Sequence, residues 1–76
     1  MPLSRPIHPM PDFILDALIE RRLMDAYRAR PRYQQNDYIG WITRARRETT
    51  RQKRLTQMLD ELKSGGKYMK MDYRPT

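Results

Sequence analysis

The side chains best equipped for chemistry in this chain are cations. Arg44, Arg46, Arg47, Arg51, Lys53 and Arg54 crowd one short stretch and are opposed there only by Glu48. That stretch carries most of the formal net charge of +7, whereas the acids and bases between Asp12 and Arg30 cancel. Such a concentration attracts nucleic acid, anionic lipid or an acidic protein surface. The competing reading is a solvated surface that serves only solubility. The candidate contacts for an anionic ligand are Arg44, Arg47, Lys53 and Arg54.

The same inventory speaks against catalysis. A reaction needs a poised acid, base or nucleophile in a pocket. The chain has no cysteine and one histidine, His8, in a proline-rich segment where a ligand role is not expected. No glycine-rich phosphate loop is present. Asp12, Asp16 and Glu20, and likewise Asp60 and Glu61, read as solvated helix faces rather than carboxylate pairs. Without thiols and with one imidazole, a metal site lacks ligands. The expectation is no enzyme, no metal, no cofactor and no small-molecule substrate.

The elements that must position these residues are helices. Seventy-six residues allow one small domain, with a core worth only about 3–5 kcal/mol net. Met1 to Pro11 holds four of the six prolines and reads as a mobile tail; its Pro6-Ile7-His8-Pro9 fits only a weak PxxP pattern. A first helix is expected over 12–29, capped by Asp12, with Leu15, Leu18, Ile19, Leu23 and Ala26 forming one apolar stripe. Arg21 and Asp25 are spaced to pair on it. Phe13, Ala17, Met24 and Tyr27 form a second stripe on the other side, and they are the candidate partner surface. Pro31 ends this helix.

A second helix is expected over 34–47, with Tyr38, Trp41, Ile42 and Ala45 facing inward and Trp41 largely buried. Gly40 costs it about 1 kcal/mol relative to alanine. Close backbone approach and a contact surface lacking a side chain both stand as explanations. A third helix is expected over 50–64, capped by Thr49 or Thr50, with Leu55, Met58, Leu59 and Leu62 on one face. Arg51 falls on that inner face, within reach of Trp41 or Tyr38, while Lys53 points outward. A glycine after Ser64 ends the helix. Residues 65–76 form an arm in which Met69, Met71 and Tyr73 alternate with Tyr68, Lys70 and Asp72. The pattern is strand-like, with no partner strand in the chain. The arm is expected to fold over the second stripe of the first helix. The alternative is a homodimer that buries two such stripes against each other.

Tyr38-Ile39-Gly40-Trp41-Ile42, Ala45-Arg46-Arg47, Thr50-Arg51-Gln52-Lys53-Arg54-Leu55, Met58-Leu59 and Leu62-Lys63-Ser64-Gly65-Gly66-Lys67 occur in this order. Together they resemble the helical domain of the bacterial YdeI/OmpD-associated family over roughly residues 11–67. That family shows a Tyr-x-x-Trp-Ile core, an Ala-Arg or Ala-Lys pair, a Glu-Thr-Arg-x-Arg-Arg-Ile run and a closing Leu-x-x-Gly-Lys. This chain departs by having Glu48-Thr49-Thr50 where the family has Pro-Glu-Thr, and the α/β domain that precedes this region in longer members is not expected in it. The resemblance implies a small helical domain linked to bacteriocin protection or to an outer-membrane porin.

The expectation is therefore an all-α, three-helix domain over 12–64 that binds a protein partner without catalysis. The alternative is nucleic-acid binding through the second helix, the basic turn and the third helix. No apolar run approaches the roughly 18 residues a membrane helix needs. A cytoplasmic monomer or homodimer follows as the expected setting.

Overall fold

A computed structural model describes residues 8–73. Residues 1–7, the greater part of the expected tail, and residues 74–76 lie outside the described residues. The described chain runs α1 (Asp12–Glu20), α2 (Met24–Ala29), α3 (Arg32–Thr43), α4 (Glu48–Ser64), β1 (Lys67–Tyr68) and β2 (Met71–Asp72). The all-α expectation holds, and no strand falls within 12–64.

The expected first helix is two helices. Its residues favour helix throughout, yet Arg22 takes a left-handed φ of 58°. There the Leu23 amide donates to the Leu18 carbonyl at 2.9 Å and the Arg22 amide to Ile19 at 3.1 Å. These two bonds define a Schellman termination with arginine where glycine is usual. The apolar pair that accompanies such a motif is Leu18 with Leu23, and both pack into the core. This packing turns the chain. The break places Arg21 and Asp25 on either side of it, which removes their expected one-turn pairing.

The break also rotates the buried face. Ile14 and Leu18 are fully buried, whereas Ile19 is 60% exposed. Leu15, Leu18 and Ile19 therefore do not form one inward stripe. The α1 cap is Pro11, with extended backbone and a carbonyl that accepts the Ile14 and Leu15 amides. Asp12 stands one residue inside, where its charge suits the helix dipole.

Arg30, in extended backbone before Pro31, ends α2 as proline requires. Two residues earlier than expected, α3 begins, and it stops four residues short. The Thr43 hydroxyl bonds back to the Ile39 carbonyl at 2.8 Å. Two arginines of α4 then take up carbonyls at this end: Arg54 Nη1 donates to Trp41 O at 2.6 Å, and Arg51 Nη2 to Ala45 O at 3.2 Å. A helix end leaves carbonyls without intrahelical donors, and supplying donors from the next helix lets α3 stop at the arginine-rich joint. Arg47 occupies the cap position of α4, so Thr49 and Thr50 lie inside its first turn. Gly65, at φ 78°, terminates α4, in agreement with the glycine stop.

The core joins Ile14 and Leu18 of α1, Tyr27 of α2, Tyr38, Ile39 and Ile42 of α3, and Leu55, Met58, Leu59 and Leu62 of α4. Trp41 is only half-buried at its edge.

The C-terminal arm pairs with itself. Lys67 faces Asp72 and Tyr68 faces Met71 in an antiparallel hairpin. Met69 and Lys70 form its turn at φ 52° and 66°, the left-handed pair of a type I′ turn. The arm lies against α3 and α4, not over α1. Tyr68 meets Tyr38 edge-on at 5.3 Å and Tyr33 at 6.0 Å between centroids, and its hydroxyl donates to Asp37 at 2.9 Å. No described helix is long and apolar enough to cross a membrane.

Candidate functional site

The basic stretch divides into two sets. Arg51 and Arg54 are spent on the joint. Arg51 pairs with Glu48 at 2.6 Å besides holding the Ala45 carbonyl. Arg54, not Arg51, lies over the Trp41 ring, at 5.3 Å from its centroid. Arg54 belongs to this internal arrangement and leaves the group of open contacts. Arg44, Arg46, Arg47 and Lys53 are exposed. Glu48, the acid among them, is engaged by both Arg51 and Gln52, the latter at 2.9 Å. The turn between α3 and α4 thus presents a group of cations whose nearest carboxylate in sequence is already occupied.

The candidate partner surface does not form an open face. Tyr27 is buried in the core, and its hydroxyl donates to the Gln35 carbonyl at 3.3 Å. Burial pushes that hydroxyl above the usual tyrosine range. Phe13, Ala17 and Met24 are partly buried against the same core. The break at Arg22 is the reason: it lets α1 and α2 each turn its second stripe inward.

The arrangement that sequence reasoning missed is centred on Glu61, expected on a solvated face and found 6% exposed. Its carboxylate accepts the Tyr38 hydroxyl at 2.5 Å and the Met69 amide at 2.8 Å on Oε1, and the Lys70 amide at 2.7 Å on Oε2. Gln57 adds a fourth donor at 3.2 Å. The Glu61 carbonyl accepts from Arg30 Nη2 at 3.0 Å, and Arg30 Nη1 donates to Gln34 at 3.2 Å. Arg30, itself 6% exposed, carries the Tyr73 ring at 4.6 Å. One carboxylate therefore supplies acceptors to both amides of the hairpin turn and binds the hairpin to α3 and α4. Burial first, and then the bonded carboxylate, hold the Tyr38 hydroxyl far above its ordinary range. A signal for Glu61 existed: it follows Met58 by three residues on the inner face of α4. Arg30, in irregular backbone before a proline, offered none.

His8 has a packing role. Its amide donates to Asn36 Oδ1 at 2.8 Å, and its ring lies so close to Gly40 that an added Cβ would stand 2.7 Å from Nε2. Of the two explanations for Gly40, close approach applies, made by a side-chain ring and not by backbone. Among the described residues no three His, Cys, Asp or Glu side chains are grouped to hold a metal ion.

A buried core of aromatic and aliphatic side chains, closed by a carboxylate-bound hairpin and edged by a basic turn, defines a small helical domain with a charged outer face. The family model described as Bacteriocin-protection, YdeI or OmpD-Associated matches residues 8–65. The chain belongs to that family, as the motifs between Tyr38 and Lys67 indicated. No curated protein and no solved structure matched it.

Proposed function

We propose that the domain is a non-catalytic interaction module of the YdeI/OmpD-associated type that receives an acidic protein surface on the turn between α3 and α4. The observation that carries this reading is the exposure of Arg44, Arg46, Arg47 and Lys53 beside a Glu48 already occupied by Arg51 and Gln52. Cations without a nearby counter-charge favour an anionic partner and speed its approach. The absence of catalysis is supported by Glu61: the buried carboxylate that would be the natural base has four donors on it. Bacterial cytoplasm is the proposed location, checked by fractionating cells that express the chain.

A second reading, nucleic-acid binding, rests on the position of these cations around the N-terminal turn of α4, the end that a helix-turn-helix presents to a groove. One experiment separates the two. The unmodified chain and an Arg44→Glu, Arg47→Glu, Lys53→Glu variant are titrated with a poly-glutamate peptide and with a DNA duplex over a range of salt. All three side chains are exposed, so the variant is expected to melt within a few degrees of the parent. The protein-partner reading expects salt-dependent peptide binding that the variant loses. Tighter binding to the duplex, with a salt slope that falls in the variant, transfers the site to nucleic acid. Binding of neither at low salt overturns both.

A further inference from the structure

The outward side of α1 is a helix face with no partner in the fold. At 3.6 residues per turn, Leu15, Ile19, Asp12, Asp16 and Glu20 follow one another around less than half of the helix, opposite the buried Ile14 and Leu18. Ile19 is 60% exposed and Leu15 is half-buried. An apolar pair one turn apart thus lies beside a row of three exposed carboxylates. Among the described residues no ion pair joins Asp12, Asp16 or Glu20 to a cation. The nearest cations in sequence, Arg21 and Arg22, stand beyond the end of α1. A single exposed isoleucine needs no explanation. An apolar pair edged by uncompensated charge has the make-up of a contact centre with a charged rim.

The same chain carries a surface of matching chemistry and opposite sign. Arg44, Arg46, Arg47 and Lys53 are exposed at the turn between α3 and α4. Trp41, half-buried at the core edge, precedes Arg44 by three residues and places an apolar ring beside these cations. We propose that the α1 face of one copy receives the α3–α4 turn of a second copy. This rests on the proposed function and names its partner: the acidic protein surface taken by the turn is another copy's α1. Opposed charges set the orientation of the contact, and Leu15 and Ile19 meet the Trp41 edge. Because the two surfaces differ, the contact runs head to tail, and association continues past a pair unless the geometry closes it. The contact is small, since α1 has nine residues and is about 13 Å long, so it belongs with weak, transient interfaces. The net charge of +7 repels copies at a distance. Salt at about 0.15 M confines that repulsion to about 8 Å and leaves pairs in contact to act.

The test is sedimentation equilibrium of the full chain up to millimolar concentration, with amide shifts followed over the same range. Self-association is expected with a submillimolar Kd, and resonances of residues 12–20 and 41–53 should move with concentration. Two variants remove one surface each: Asp12→Asn, Asp16→Asn, Glu20→Gln, and the Arg44→Glu, Arg47→Glu, Lys53→Glu variant of the turn. Each alone is expected to stay monomeric. Mixed, they restore one contact, the intact turn of the first on the intact α1 of the second, and should stop at a 1:1 pair. Ile19→Ser, an exposed position that alters no charge, should weaken association by about tenfold, the loss expected for an apolar side chain buried in the contact. Melting curves of each variant keep loss of association distinct from loss of fold. A full chain that is monomeric at millimolar concentration overturns the proposal. So does association that survives either charge variant, or a mixture that stays monomeric. A chain that binds the poly-glutamate peptide yet never self-associates overturns this contact and leaves the turn as a site for a foreign acidic surface; one that does neither overturns both.

Discussion

The Tyr38 hydroxyl donates to the Glu61 carboxylate at 2.5 Å, joining α3 to α4 at a point where both residues are nearly sealed from water. Through the other contacts of Glu61 the same carboxylate fixes the hairpin turn. Tyr38→Phe should lower stability by about 1.5–3 kcal/mol, the range for a hydrogen bond to a charged group. Glu61→Ala should cost more, because it strands several donors at once. Urea denaturation measures both. Amide exchange at Met69 and Lys70 is expected to accelerate in Glu61→Ala; unchanged protection would show that the hairpin is held by other contacts.

Alkaline pH should weaken the fold. The folded-state pKa values of Tyr38 and Tyr27 are both raised by burial, and that of Tyr38 further by Glu61. The unfolded chain therefore releases these protons first. The associated stability is complete below the ordinary tyrosine pKa of about 10 and is lost as pH climbs above it. Denaturation midpoints should be insensitive to these groups at neutral pH and fall beyond that value. Tyr38→Phe should flatten the decline, and an equal slope in the variant would remove Tyr38 as its source.

Arg22 holds the left-handed position that ends α1. A side chain there costs about 1–2 kcal/mol relative to glycine. Arg22→Gly is expected to stabilise the chain by about 1 kcal/mol, and Arg22→Val to destabilise it. Thermal melts that rank the glycine variant below the parent would mean that the Arg22 side chain contributes more than its backbone costs.

Leu59 is 4% exposed at the centre of the α4 face. Truncation to alanine should cost about 2–5 kcal/mol, against about 3–5 kcal/mol available to a domain of this size. The variant is expected to be largely unfolded, with collapsed amide dispersion. A shift of only a few degrees would place α4 at the periphery of the core.

The sequence by itself determined the helical class, the inner face of α4, the stops at Pro31 and Gly65, and the family. Each rests on local rules: apolar residues at helical spacing, a proline that forbids the helical residue before it, a glycine that accepts positive φ. The exposed positions of Arg44, Arg47 and Lys53 were legible for the same reason. Tertiary structure decided the rest. A left-handed Arg22, with the Leu23 amide on the Leu18 carbonyl, broke a sequence locally suited to one helix and left Phe13, Ala17, Met24 and Tyr27 packed on the core. Donors on α4 allowed α3 to end early, and they drew Arg54, expected among the open contacts, out of the basic surface. Met69 and Lys70 carry no type I′ signal, yet they turn because a carboxylate eight and nine residues earlier accepts both of their amides. In each case the deciding partner lies on another element, and propensity within a short window cannot register a bond that exists only after the elements have packed.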